Sequence, residues 1–268
     1  MTKILSRIAA LLPMLLLFAA PAAAEEITLK AKDGTALHAD YKKAKGESAV
    51  VLVHMLGRSA KDWRFVADKL NGNDITTLAV DLRKHGANLP EGSGRPELSP
   101  EDFAGMKQDV QAAVAHLRKE GFTDIQLIGA SIGANLALQV AAEDAEIRSV
   151  ILLSPGLDYK GVTSEEAMAA YGERPILIVV SKDDRYSAKS GLVLDSKAKG
   201  VHELVIYDAA GHGTKMLNKE PELEPKVISW VLGTYTMSDG DGGASRAAGL
   251  KTGDTSEVQT EGKKLGEE

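Results

Sequence analysis

Apolar residues recur along this chain in three rhythms. Near the start, 27–32 and 35–42 alternate apolar and polar positions, with Asp33-Gly34 between them. Period-two alternation gives a strand one buried and one wet face, and Asp-Gly tolerates the positive φ of a tight turn, so the pair predicts a β-hairpin. Continuous apolar runs follow at 49–53, 75–80, 125–128, 150–153, 176–180 and 204–206. A strand without a polar face is covered on both sides, the condition of a parallel sheet. The third rhythm, with a helical period, occupies 60–70, 100–119, 134–142, 189–198 and 225–235. Its clearest case is 100–119, where Phe103, Met106, Val110, Val114 and Leu117 share a face and Ser99 and Asp102 are spaced as a capping box. Strands alternating with helices predict a single α/β domain, a mostly parallel sheet with helices on both faces.

The two ends do not share these rhythms. Lys3 and Arg7 precede an apolar run, Ile8 to Ala20, and then the small residues Ala22-Ala23-Ala24. Positive start, short apolar core and A-x-A site predict a signal peptide over 1–24, cleaved after Ala24. The run is short for a spanning helix, which needs roughly 20 residues. That reading places the protein in the periplasm or outside the cell, with no stable membrane anchor. The domain then covers 25–236. Residues 237–268 are rich in Gly, Ser, Asp and Lys and poor in large apolar residues, and are expected to be a disordered tail.

Composition narrows the function. Without Lys3 and Arg7 the chain has 30 basic and 38 acidic residues. An acidic chain lacking any basic stretch is a poor partner for nucleic acid. There is no cysteine, hence no disulfide and no lipid attached through one. Neither a metal-ligand motif nor a phosphate-binding glycine loop occurs, so no cofactor and no metal are expected. Aromatic residues are few (4 Phe, 2 Trp, 6 Tyr), leaving no evident stacking platform for sugars or bases.

The chemistry is carried by three segments. Gly129-Ala130-Ser131-Ile132-Gly133 fits G-x-S-x-G at the junction of a buried strand and a helix. There the serine is held on a sharp turn above the sheet edge, and the glycines let the backbone pass close to its neighbours. A serine hydroxyl needs a base, and His212, in Ala-Gly-His-Gly after the last strand, sits at the carboxyl edge of the sheet where ligands bind. A base needs an acid to orient it. Asp183 and Asp184 both follow the strand at 176–180, and only one can reach His212. The order serine, acid, histidine is the one this kind of sheet uses.

These features resemble the α/β-hydrolase superfamily, and within it the small lidless esterases and dienelactone-hydrolase-like proteins. The resemblance runs over about 26–235. It rests on Val51-Leu52-Val53-His54, on Asp81-Leu82-Arg83-Lys84-His85-Gly86, on the GASIG turn and on the late Gly-His-Gly. It implies an α/β-hydrolase fold without a lid domain. It also implies Asp184 as the acid, because Ser181-Lys182-Asp183-Asp184 matches the family's S/G-x-x-D. By position in the family pattern, the backbone N–H groups of Leu56 and Ile132 would form the oxyanion hole. One departure stands out: Met55 occupies the place where the family usually has glycine after His54. His54, Arg83 and His85 are expected to be structural.

Only 154–175 separates the strands at 150–153 and 176–180, with one short helical stretch at 164–171, so the site should be open. Met55, Leu56, Leu157, Tyr159 and Tyr186 are its expected walls. The favoured activity is hydrolysis of small-molecule carboxylic esters through an acyl-enzyme. A peptidase, thioesterase or acyltransferase would use the same residues, and a non-catalytic binding protein could keep the fold.

Overall fold

The computed structural model describes residues 24–234 apart from 90, 91, 93, 95 and 96. The expected signal peptide, except for Ala24, and the expected tail lie outside the described residues.

Two antiparallel strands open the domain, β1 (Glu25–Lys30) and β2 (Ala36–Lys42). Gly34, at φ 91°, makes the turn between them, as its sequence requires. The remaining strands of the sheet are β3 (Ser48–Val53), β4 (Thr76–Val80), β5 (Asp124–Ala130), β6 (Ile147–Leu153), β9 (Ile176–Ser181) and β10 (His202–Tyr207). Their order is β1-β2-β4-β3-β5-β6-β9-β10. From β4 to β10 every pairing is parallel. A further hairpin, β7 (Asp158–Tyr159) with β8 (Val162–Thr163), stands apart from the sheet.

Alternate residues of each strand feed two cores. Val51 and Val53 pack with residues of α2 (Pro100–Lys119), α3 (Ile132–Glu143), α4 (Glu165–Tyr171) and α5 (Arg185–Lys197). Val50 and Leu52 pack with α1 (Arg64–Gly72), α6 (Met216–Lys219) and α7 (Leu223–Leu232). This double burial is why the strands read as continuous apolar runs. The expected capping box at Ser99 and Asp102 is present. Between β6 and β9 the chain makes only the β7–β8 hairpin and the seven-residue α4. No lid domain is inserted there, and no helix among the described residues is long and apolar enough to cross a membrane.

Some boundaries differ from expectation, each for a local reason. The stretch beginning at Ala60 starts as a 3-10 turn and becomes α-helical at Arg64. α5 begins at Arg185 rather than Lys189, because the Asp184 side chain accepts the Ser187 amide and caps the helix there. α7 stops at Leu232, where Gly233 turns left-handed.

Candidate active site

Ser131 sits between β5 and α3 with φ 55° and ψ −125°, a strained conformation for a residue with a side chain. Its amide donates to the Leu153 carbonyl on β6 at 2.8 Å, which ties the turn to the sheet. The flanking glycines are required by space. A Cβ on Gly129 would lie 2.1 Å from the Gly133 oxygen, and one on Gly133 2.5 Å from the Val53 oxygen. Ile132 is the first residue of α3, so its amide has no acceptor within the helix.

His212 follows β10 on a loop and is about a third exposed. Its Nδ1 lies 2.6 Å from Asp184 Oδ2. The other oxygen of Asp184 accepts the Ser187 amide at 3.3 Å. Burial acts to raise the Asp184 carboxyl; the bond and charge of His212, with Ser187, outweigh it and hold the group below its ordinary value. The carboxylate is therefore ionised at neutral pH and fixes the proton of His212 on Nδ1, leaving Nε2 as the basic atom.

Asp183, the aspartate that misses His212, is exposed and caps no helix, yet one of its oxygens is engaged. Its Oδ1 accepts the Ser181 hydroxyl at 2.5 Å and the Gly211 amide at 3.0 Å. Ser181 Oγ in turn accepts the Ala210 amide at 2.8 Å. The two aspartates thus hold one loop from two sides, Asp184 by the imidazole and Asp183 by the backbone just before it.

Ser131, Asp184 and His212 face a common cavity of about 770 Å³. Met55, Leu56, Ile132, Tyr159 and Tyr186 also line it. Leu157, expected as a wall, is instead 1% exposed within the core, because its residue turns inward at the foot of the β7–β8 hairpin. The hairpin delivers Tyr159, whose hydroxyl reaches Ser187 Oγ at 3.0 Å and the Ser154 carbonyl at 3.2 Å. Burial and then the Asp184 charge push this phenol far above its ordinary range, so it stays a donor. Its ring meets His212 edge-on at 6.4 Å. Around the mouth stand Arg58, Lys160, Lys215 and Lys219.

Met55 in place of glycine has a structural answer. It is buried, and its thioether fills the space beside Gly213, where a Cβ would come within 2.1 Å of the sulfur. The second glycine of Gly-His-Gly therefore accommodates Met55. Leu56, next on the same loop, reaches the lip of the cavity with its side chain 36% exposed. His54 lies fully buried behind the loop. Its Nδ1 donates to the Met55 carbonyl at 2.7 Å and its Nε2 accepts the Leu82 amide at 3.0 Å. Burial first, then repulsion by His85, lower its pKa to about 4, so the ring is a neutral latch. Arg83 binds the buried Asp109 and reaches Asp33 at 2.7 Å; it and His85 stay out of the cavity lining.

Ser154 is a supporting residue that no sequence signal marks. Fully buried at the end of β6 with φ 52°, it accepts the Gly213 amide on Oγ at 2.9 Å and the Tyr159 hydroxyl on its carbonyl. It thus fixes the chain on the far side of His212 from Asp183.

The comparisons agree with this architecture. A protein of Salmonella typhimurium, the uncharacterised YfhR, is 26% identical over 213 residues, covering 72% of this chain and 66% of its own length. The Pyrococcus furiosus esterase Pf2001 superposes with a TM-score of 0.62 at 17% identity, over 78% of this chain and 92% of its own. Est1E of Butyrivibrio proteoclasticus, solved with ferulic acid, gives 0.62 at 20% identity, over 78% and 98%. A sequence model described as the alpha/beta hydrolase family matches residues 50–185, just over half of the chain. The chain belongs to the alpha/beta hydrolase family.

Proposed function

We propose that this protein is a serine hydrolase of small carboxylic esters, working through an acyl-enzyme. The observation that carries the proposal is the 2.6 Å contact between His212 Nδ1 and Asp184 at a cavity that also receives Ser131 on its strained turn. The structural neighbour Pf2001 bears the name of an esterase, in keeping with this chemistry.

In the proposed reaction Ser131 Oγ attacks the ester carbonyl as His212 Nε2 takes its proton. Asp184 stabilises the imidazolium and keeps its other nitrogen protonated. The tetrahedral oxyanion accepts hydrogen bonds from the amides of Ile132 and Leu56, and each such donor is worth roughly 3–4 kcal/mol in the transition state. The intermediate collapses as His212 returns the proton to the departing alcohol. A water molecule, deprotonated by His212, then releases the acid and restores Ser131. The open mouth suits short or exposed acyl groups.

Labelling with a fluorophosphonate, alongside hydrolysis of 4-nitrophenyl esters of rising acyl length, tests the proposal. The native protein should label once and prefer short chains. Ser131→Ala should fold normally, fail to label and lose on the order of 10⁶ in kcat. Undiminished hydrolysis by that variant would take the nucleophile's role from Ser131.

A further inference from the structure

A second cluster of chemically competent side chains lies on the β1–β2 hairpin. Glu26 on β1 and Asp40 on β2 are direct cross-strand partners. Two like charges in that position repel unless something positive stands between them. His38 is two residues before Asp40 and so shares its face of β2, opposite the core residues Leu37 and Ala39.

The protons in this cluster can be followed atom by atom. His38 Nδ1 lies 3.0 Å from Asp81 Oδ2, and the other partners of that buried carboxylate are the amides of Ala60 at 2.6 Å and Ala87 at 2.8 Å. Asp81 is met by donors, so the ring proton belongs on Nδ1 and a lone pair on Nε2. That lone pair is buried and without a hydrogen bond, 3.6 Å from Asp40 Oδ1 and 3.9 Å from Glu26 Oε2. Asp40 is only 9% exposed, and its Oδ2 is also buried with no hydrogen bond. Among the described residues neither carboxylate is paired with a lysine or an arginine. Three acceptor groups converge, with their ligand atoms within 4.8 Å of one another and no donor between them.

We propose that Glu26, His38 and Asp40 bind a divalent transition-metal ion, zinc above all. An imidazole with two carboxylates suits zinc, whose bonds of roughly 2.0–2.2 Å place tetrahedral ligand atoms about 3.4 Å apart. The observed 3.6 and 3.9 Å separations need close by a few tenths of an ångström, and the two carboxylates, within 4.8 Å of each other, are drawn together by the exposed side chain of Glu26. Asp81 behind His38 supplies the outer carboxylate that orients and strengthens a metal-binding imidazole. Water would complete the tetrahedron on the side of Glu26, whose side chain is 74% exposed. The site is structural: it fastens the hairpin to Asp81, which holds the amide of Ala60 beyond the Met55–Leu56 loop.

The test is calorimetric titration of the full chain, stripped of metal by a chelator, with zinc chloride at neutral pH, paired with thermal melts. One zinc ion per chain should bind and raise the melting temperature by several degrees, while magnesium at the same concentration does neither. Glu26→Gln, an exposed change that cannot disturb the core, should weaken zinc binding by about tenfold or more. Asp40→Asn should abolish it. His202→Ala and His212→Ala, each removing another partly exposed imidazole, should leave it intact. No saturable zinc binding, or equal binding by wild type, Glu26→Gln and Asp40→Asn, would overturn the assignment.

Discussion

At the scale of single residues, the site is a matter of which neighbour each polar atom finds. The sequence brought Ser131 and His212 forward by their glycine-flanked turns. It left two adjacent aspartates open, and only a family pattern separated them. In space Asp184 takes the imidazole and Asp183 the Gly211 amide. Asp184→Asn should lower kcat by about 10⁴, since the proton then no longer favours Nδ1. Asp183→Ala should cost on the order of tenfold, because an exposed charge-assisted bond to the loop, worth about 1.5 kcal/mol, is lost while the triad groups remain. Steady-state kinetics of both variants decide it; equal losses would mean that Asp183 shares the acid's task. His54 allows a second prediction at this scale. Its pKa falls from 6.5 to about 4 on folding. Above pH 6.5 the ring is neutral in both states and the latch is fully in place. Between pH 6.5 and about 4 the unfolded chain takes up a proton that the native protein refuses, so stability falls as pH falls, by on the order of 3 kcal/mol. Melting curves across that range should show the slope, and His54→Gln, less stable at pH 7, should show a shallower one.

At the scale of elements, legibility followed the length of the pattern. Five buried strands, the half-buried edge strand β10 and the capped α2 declare themselves because cover on two faces, or on one helical face, leaves an apolar signature. The β7–β8 hairpin has only two residues in each strand and no such signature, so Tyr159 was recognised as a pocket wall but its delivery was not. Ser154 was illegible for another reason: a serine closing a buried strand is common, and its bonds to Gly213 and Tyr159 join segments far apart in the chain. The start of α5 was misplaced because its cap is the same carboxylate that serves His212. The turn at Ser131 is the element on which most depends, and its tolerance is measurable. An alanine at Gly133 would put a methyl group within 2.5–2.6 Å of the Val53 and His54 carbonyl oxygens. Overpacking of this kind costs roughly 1–3 kcal/mol, or about 2–12 °C in a domain of this size. Gly133→Ala should show that loss together with a fall in kcat as Ser131 shifts. Gly72→Ala, with no atom within 4 Å of the added carbon, should keep both. Equal behaviour of the two variants would mean that the close approach of α3 to β3 does not constrain the turn.

At the scale of the whole molecule, the distribution of charge bears on the substrate. The chain carries a formal net charge of −6, yet the cavity mouth gathers Arg58, Lys160, Lys215 and Lys219. Its two carboxylates are already engaged, Asp184 by His212 and Asp183 by Ser181 and Gly211. Arg58 is matched by Asp62 at 2.7 Å, whereas the described residues give the three lysines no carboxylate partner within ion-pair distance. A positive mouth on a negative body focuses the field at the entrance and draws in anions. If the protein is the ester hydrolase proposed, an ester with a free carboxylate on its acyl chain should outrun a neutral one of equal length. The 4-nitrophenyl monoester of glutaric acid against 4-nitrophenyl valerate is a suitable pair. At about 0.01 M salt, where the screening length is roughly 30 Å, the anionic ester should have a kcat/KM about tenfold higher. Near 1 M, where it is roughly 3 Å, the two should converge. The double variant Lys160→Gln, Lys215→Gln should lose most of the preference at low salt while hydrolysing valerate as before. A preference absent at low salt, or insensitive to both salt and the lysines, would show that the rim takes no part in choosing the substrate, whatever the fate of the triad.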